Sequence, residues 1–128
     1  MPVLYRSMKA SADGHPEVGP NARLLGVRDG IDIISQNGYV LPETGGMSVS
    51  PDDPKRLPRF RRPPELGGTG RDPTFTIESE LLPSDLTYRA DPLDPHSHGF
   101  IEPARPMTFA EFQQAIGETR LSWTRHSL

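Results

Sequence analysis

The chain contains no cysteine. Disulfide staples, thiolate nucleophiles and cysteine-based metal sites are therefore excluded, and the fold suits a reducing or an oxidising compartment. No apolar run approaches the roughly 20 residues that a membrane-spanning helix needs. The start, Met1-Pro2-Val3-Leu4-Tyr5-Arg6, lacks a basic segment followed by an apolar core. No signal peptide is expected, so a cytoplasmic location is predicted and any export would need another machine. A large charge of one sign is also missing: the formal net charge of −3 gives no global pull toward nucleic acid or anionic membranes. Hydrophobic residues are sparse as well. At 34% they fall below the usual globular share, which predicts a modest core.

What the chain has in quantity is proline (15) and glycine (12), which predict long connections between short elements. Charged residues are only 24% and apolar runs recur along the length, so a folded chain is expected rather than a disordered one. Its 128 residues suit one domain, 1–128.

Thr44-Gly45-Gly46-Met47-Ser48-Val49-Ser50 organises the reading. Alternation at period two is a strand signal, because successive side chains point to opposite faces. Ser48 and Ser50 would share one face, with Met47 and Val49 on the other. The glycine pair allows a sharp turn and close approach of a ligand to the backbone. The stretch is either an ordinary strand after a glycine turn or the floor of a cleft that presents two hydroxyls.

Other elements are read from local signals. Val3 to Ser7 reads as a strand with Tyr5 and Arg6 on opposite faces. Asn21 to Val27 is ambiguous between loop and one or two helical turns. Ile31 to Ile34 and Tyr39 to Leu41 read as a hairpin with an Asn37-Gly38 corner. Thr74 to Ile77, Leu86 to Arg89 and His98 to Glu102 read as strands, with Phe75 and Ile77 sharing a face. Thr108 and Glu111 form a T-x-x-E capping box that starts a helix ending near Gly117 or a turn beyond. Phe109, Phe112 and Ile116 lie on one face of it and should dock on the sheet. Trp123 should anchor the C-terminal part.

Three further stretches carry potential chemistry. Pro51 to Pro64 holds Lys55, Arg56, Arg59, Arg61 and Arg62. It is either a basic patch for phosphates or an acidic partner, or a solvated loop; with one aromatic, Phe60, and no helix to present it, the loop reading is preferred. Gly67-Gly68-Thr69-Gly70 lacks the spacing and the Lys-Ser/Thr ending of a phosphate loop and reads as a turn. His96-Ser97-His98 offers two imidazoles without a third ligand at recognisable spacing, so no metal is expected.

Short strands, few helices and long Pro/Gly connections point to an α+β domain around a mainly antiparallel sheet. In that frame an ordered set of motifs stands out. They are Leu4-Tyr5-Arg6, Arg28-Asp29-Gly30, Thr44-Gly45-Gly46-Met47-Ser48-Val49, Leu82-Pro83-Ser84-Asp85-Leu86, and His98-Gly99-Phe100-Ile101-Glu102-Pro103-Ala104-Arg105-Pro106-Met107. Their order resembles the Tse-two family of type VI secretion toxins, whose fold is ADP-ribosyltransferase-like. The resemblance implies a split antiparallel β-sheet with few short helices and a C-terminal helix, and a cleft shaped for NAD as substrate. By that resemblance Arg6 and Ser48 are catalytic candidates, and Glu102 joins them as the late-strand carboxylate that a transferase usually has. Tyr5, Arg6, Arg23, Ser48 and His98 are NAD-binding candidates. Two departures are visible: Met47 stands where the family pattern has Thr, and Glu102 where that pattern is apolar.

Transfer of ADP-ribose breaks the nicotinamide–ribose bond through an oxocarbenium-like transition state, which a carboxylate stabilises. Arginine suits the pyrophosphate because its planar fork donates bidentately. An aromatic ring can stack on nicotinamide, and a serine can hold an amide or a ribose hydroxyl. From the residues alone, Arg6 is as readily a solvated strand charge and Tyr5 a core ring with its hydroxyl at the surface. The resemblance implies a toxin held by a cognate antitoxin or immunity protein, acting on an unknown target macromolecule after delivery by a secretion system. The competing class is a non-enzymatic binding protein that uses the basic loop Lys55 to Arg62 as its contact. Nucleic-acid binding is disfavoured by the net charge.

Overall fold

A computed structural model of the protein describes residues 2–127. The β-favouring Val3, Leu4 and Tyr5 form β1 (Val3–Ser7), followed by β2 (Tyr39–Val40), β3 (Met47–Pro51), β4 (Thr74–Glu78), β5 (Leu86–Ala90), β6 (Gly99–Pro103), β7 (Met107–Thr108), α1 (Phe109–Glu118) and β8 (Thr124–Arg125). Six strands make one sheet in the order β5-β6-β3-β1-β4-β8, and β2 pairs separately with β7. All of these strand pairings are antiparallel. The result is an α+β fold, a mostly antiparallel sheet with one α-helix, near the C-terminus, among the described residues.

The sheet is uneven at its centre. β1 pairs with β4 along its whole length, from Val3↔Glu78 to Ser7↔Thr74. It pairs with β3 only at Leu4↔Pro51 and Tyr5↔Ser50. β3 meanwhile pairs with β6 at Met47, Ser48 and Val49. Past Tyr5 the two central strands therefore part, and the sheet splits between Arg6–Ser7 and Ser48–Val49.

Register assigns the faces, because directly opposed residues share one. Leu4, Arg6, Phe75 and Ile77 point to the inner face, as do Met47, Val49 and Ile101. The apolar members of that set are buried and join Phe112, Ile116 and Trp123 of the C-terminal segment in a single core. The expected capping box is present: Glu111 N donates to Thr108 Oγ1 (3.1 Å), and Thr108 N donates to Glu111 Oε1 (2.9 Å). Phe112 and Ile116 are fully buried and Phe109 is half-buried against the core. The indole of Trp123 is buried with its Nε1–H donated to Thr119 Oγ1 at 3.0 Å.

Several local expectations are corrected. Ile31–Ile34 is not a strand. Asp32 accepts from the Arg28 backbone N–H (2.7 Å) and turns the chain tightly, leaving Ile31 and Ile34 exposed while Ile33 alone is buried. The Asn37-Gly38 corner does form, with both residues at positive φ, but β2 continues to β7 rather than back along Ile31–Ile34. Asn21–Val27 is loop, opened by Asn21 Oδ1 accepting from Arg23 N at 2.9 Å. Pro51–Pro64 is not featureless either: a 3-10 turn at Pro54–Arg56, capped by Asp53, and a second at Pro64–Leu66 bury Leu57 and Leu66.

Truncating the ring of Phe112 removes the largest helix contribution to this core. Phe112→Ala is expected to cost about 3–5 kcal/mol, read as a lowered denaturation midpoint; an unchanged midpoint would rule the packing out.

Candidate functional site

The split is bridged by a side chain. Arg6 leaves the inner face of β1, is 8% exposed, and donates from Nη1 to the carbonyl of Ser48 across the gap (2.8 Å). Its Nη2 donates to the carbonyls of Leu24 (2.9 Å) and Ala22 (3.2 Å). Its Nε is buried with no hydrogen-bond partner. Burial lowers the guanidinium pKa to about 10; Arg61 adds to the lowering, Asp32 opposes it, and Arg28 contributes a smaller repulsion. No carboxylate lies within salt-bridge distance of this arginine among the described residues.

A pocket of about 200 Å³ opens at this place. Arg6 and Ser7 of β1 and Ser48 and Ser50 of β3 line one side, and Arg28, Asp32 and His98 contribute from flanking segments. The remaining wall is the Pro-rich basic loop, through Leu57, Pro58, Phe60 and Arg61. A neighbouring pocket of about 250 Å³ shares Ser7, Phe60 and Arg61 and runs on to Arg23 and Arg71.

The candidates do not all meet there. Arg6, Ser48 and His98 line the pocket. Register puts Ser48 on the outer face and Arg6 on the inner one, so Arg6 reaches the carbonyl of Ser48 and not its hydroxyl. Tyr5 lies on the outer face, outside the pocket lining, with its ring edge-on to His126 at 5.5 Å. Arg23 lines the neighbouring pocket, bound to Asp72 through Nε (2.7 Å) and Nη2 (2.8 Å). Glu102 does not line the pocket. Its buried carboxylate accepts from Arg89 Nε (2.8 Å) and from the backbone N–H of Glu43 (2.9 Å), which ties β5 and the Glu43 loop to β6. The glycine pair likewise serves the chain itself: Gly46 N donates to the Asp32 carbonyl (3.0 Å), and a Cβ at Gly46 would collide with the carbonyl of Ile101.

His98 Nδ1 lies 2.8 Å from Asp91 Oδ2. A carboxylate only accepts, so Nδ1 carries the proton in that bond and Nε2 is the free nitrogen. The hydrogen bond to His98 holds the Asp91 carboxyl below the usual carboxylate range, with the backbone N–H of Leu93 adding to it. The His98 ring stands edge-on to Phe100 at 4.9 Å.

Sequence reasoning missed Asp32, Arg28, Phe60 and Arg61 as pocket residues. The first two carry a usable local signal, since an Arg-x-x-x-Asp spacing that spans the Arg-Asp-Gly turn lets the acid cap it. Arg28 binds Asp32 through Nε (3.1 Å) and Nη2 (3.0 Å). The basic loop gives no such signal, because its shape depends on hydrogen bonds from the glycine turn that follows it and not on its own residues alone. The amides of Gly68, Thr69 and Gly70 donate to the carbonyls of Pro63, Arg59 and Arg62. A Cβ at Gly68 would collide with Arg62 and Arg59 carbonyls, so the Gly67–Gly70 turn is a clasp for the loop.

Two outcomes test this geometry. Arg6→Ala leaves buried carbonyls without a donor and is expected to lower stability by about 1–3 kcal/mol, measured by denaturant unfolding; unchanged stability would show that Arg6 does not brace the split. Asp72 is held below the usual carboxylate range chiefly by its hydrogen bonds to Arg23, against an opposing effect of burial. A depressed folded-state pKa gives stability that is present above the unfolded value, near pH 4, and lost as pH falls through the folded value. Asp72→Asn should therefore cost roughly 0.5–1 kcal/mol at neutral pH, a difference that narrows as the pH is taken below the unfolded value and through the folded one. Urea midpoints that differ equally at neutral and at acid pH would contradict the pairing.

Comparison with curated proteins and with solved structures gives no significant match. Comparison with protein families does: the family described as Tse2 ADP-ribosyltransferase toxin matches residues 3–125, nearly the whole chain. That span includes the split strands, the pocket and the C-terminal helix. The chain belongs to the Tse2 ADP-ribosyltransferase toxin family.

Proposed function

We propose that the chain acts as one domain, that the cleft between β1 and β3 takes NAD, and that ADP-ribose passes from NAD to a target macromolecule. The observation that carries this reading is the buried Arg6, lacking a carboxylate partner and with an unused Nε, on the wall of a pocket in the splayed sheet. A pocket of about 200 Å³ is smaller than the roughly 300 Å³ at which drug-sized ligand sites begin. It suits the nicotinamide-ribose end, and the neighbouring pocket suits the adenosine half beyond the pyrophosphate.

In this reading the bond between ribose C1′ and the nicotinamide nitrogen breaks, with its electron pair going to the ring nitrogen. The developing positive charge on the ribose needs a negative neighbour. Asp32, paired with Arg28, is the carboxylate on the pocket wall, while Glu102, the sequence candidate, does not line the pocket and holds Arg89 and the Glu43 amide. We assign Asp32 to the charge and Glu102 to positioning the loop before β3. Ser48 and the free Nε2 of His98 hold the ribose or nicotinamide amide by hydrogen bonds. The acceptor's nucleophile then attacks C1′ and loses its proton. The protein serves as a toxin paired with a cognate antitoxin or immunity protein, and a type VI secretion system delivers it to the cytoplasm of a target cell. No helix among the described residues is long and apolar enough to cross a membrane.

Nicotinamide release from NAD by the purified chain is the direct test. Ser48→Ala is expected to lower it about tenfold or more without moving the melting temperature, by loss of one charge-adjacent hydrogen bond. Glu102→Gln keeps its shape and should retain turnover in whatever fraction stays folded. Full loss at unchanged stability would return Glu102 to the chemistry. Expression alone in a bacterial cytoplasm should arrest growth, and normal growth at confirmed soluble expression would count against the toxin role. Growth arrest without nicotinamide release would favour the non-enzymatic binding protein.

A further inference from the structure

Several cations stand around the cleft, but they are not equivalent. Arg28 is bound by Asp32 and Arg23 by Asp72, each through two guanidinium nitrogens. Their charge is already met. Arg6 and Arg61 line the same pocket, and neither has a carboxylate within salt-bridge distance among the described residues. They are also close enough to repel, since Arg61 comes after burial as the next cause of the lowered Arg6 pKa. Two guanidinium groups without a carboxylate at ion-pair distance face one pocket, one of them buried with an unpartnered Nε, and an anion between them would relieve their repulsion.

Arg61 is not a stray surface charge. Its carbon Cζ stands 5.3 Å from the centroid of the Phe60 ring, and Phe60 is 66% exposed beside the cleft. The backbone that carries both is fixed. The Pro58 carbonyl accepts from the amides of Arg61 (2.8 Å) and Arg62 (3.0 Å), and the Gly67–Gly70 turn clasps the same segment from the other side. Both residues also line the neighbouring pocket, so they stand where the two pockets join.

We infer that Arg61 and Arg6 clamp a diphosphate at this junction, and that the open face of Phe60 stacks the adenine ring on the far side of it. The basic loop is then part of the substrate site and not a docking surface for a partner. This inference rests on the proposed NAD cleft and goes beyond it by naming the residues that hold the ADP half. It assigns Arg61 binding alone and involves no covalent step.

Binding tests it without reference to turnover. Titration calorimetry of the wild-type chain with ADP and with inorganic pyrophosphate should show saturable, salt-sensitive binding of both. Arg61→Gln should weaken both by about tenfold or more, the usual effect of losing a charge-assisted contact. Phe60→Ala should weaken ADP about fivefold more than it weakens pyrophosphate, because only the adenine stacks while both ligands meet Arg61. Melting temperatures should stay at the wild-type value, as both side chains are outside the core cluster. Equal affinity of wild type and Arg61→Gln for pyrophosphate, or no binding of either ligand by wild type, would overturn the clamp. Affinity for a single-stranded oligonucleotide with none for ADP would overturn it too. ADP binding with the expected losses but no nicotinamide release would leave the clamp standing and defeat the transferase reading. Nicotinamide release that is indifferent to Arg61→Gln would do the reverse.

Discussion

Arg6 is the strut on which the open sheet depends. An antiparallel sheet that parts at its centre exposes unpaired carbonyls on the diverging strands, and each needs a donor. Arg6 supplies one to Ser48 on β3 and two more to Leu24 and Ala22 on the covering loop. One planar fork thus fixes the width of the gap and the position of the loop above it. Lysine cannot do this, because its ammonium lacks the rigid spread of donors. The cost is a desolvated cation, visible in a pKa lowered to about 10. The pocket beside it is where that cost can be relieved.

A chain without cysteine and with a small core must hold long loops by other means. Here arginine–aspartate pairs between segments far apart in sequence do so: Arg23–Asp72, Arg120–Asp13 and Arg105–Asp85. Each is exposed enough to contribute little alone. Their effect is geometric, since each fixes where a loop sits on a sheet that its own apolar residues only partly cover. The glycine clasp at Gly67–Gly70 does the same for the basic loop through backbone hydrogen bonds.

What was legible in the sequence was local. The capping box, the alternation in β1 and β3, the Asn37-Gly38 corner and the inward pairing of Phe75 with Ile77 each depend on neighbours within four residues. What was not legible depends on partners outside the segment being read. Ile31–Ile34 has the composition of a strand, but β2 joins β7, and Ile33 forms only isolated bridges, to Gly45 and Asp29. The basic loop reads as solvated because nothing within it reveals that Gly68 and Gly70 will press against its carbonyls. Glu102 looked like a cleft carboxylate because its strand alternates; Arg89, its partner on β5, cannot be inferred from spacing.

The faces of the split sheet separate two kinds of chemistry. The inner face brings Arg6, in register with Leu4, Phe75 and Ile77, and the loop brings Arg61 to the same pocket. From the other side come hydrogen-bonding groups, Ser48 on β3 and His98 just before β6, the latter held by the Phe100 edge and Asp91. Because Arg6 meets Ser48 only at its carbonyl, the Ser48 hydroxyl is free of the strut that holds the cleft open. A substrate that carries both a diphosphate and a sugar can therefore be gripped by one face and oriented by the other. Changes to the orienting hydroxyl leave the architecture alone, whereas changes to the strut alter architecture and grip together. That asymmetry arises from the one-residue offset between Tyr5, which pairs with Ser50, and Arg6, which reaches across where pairing has stopped.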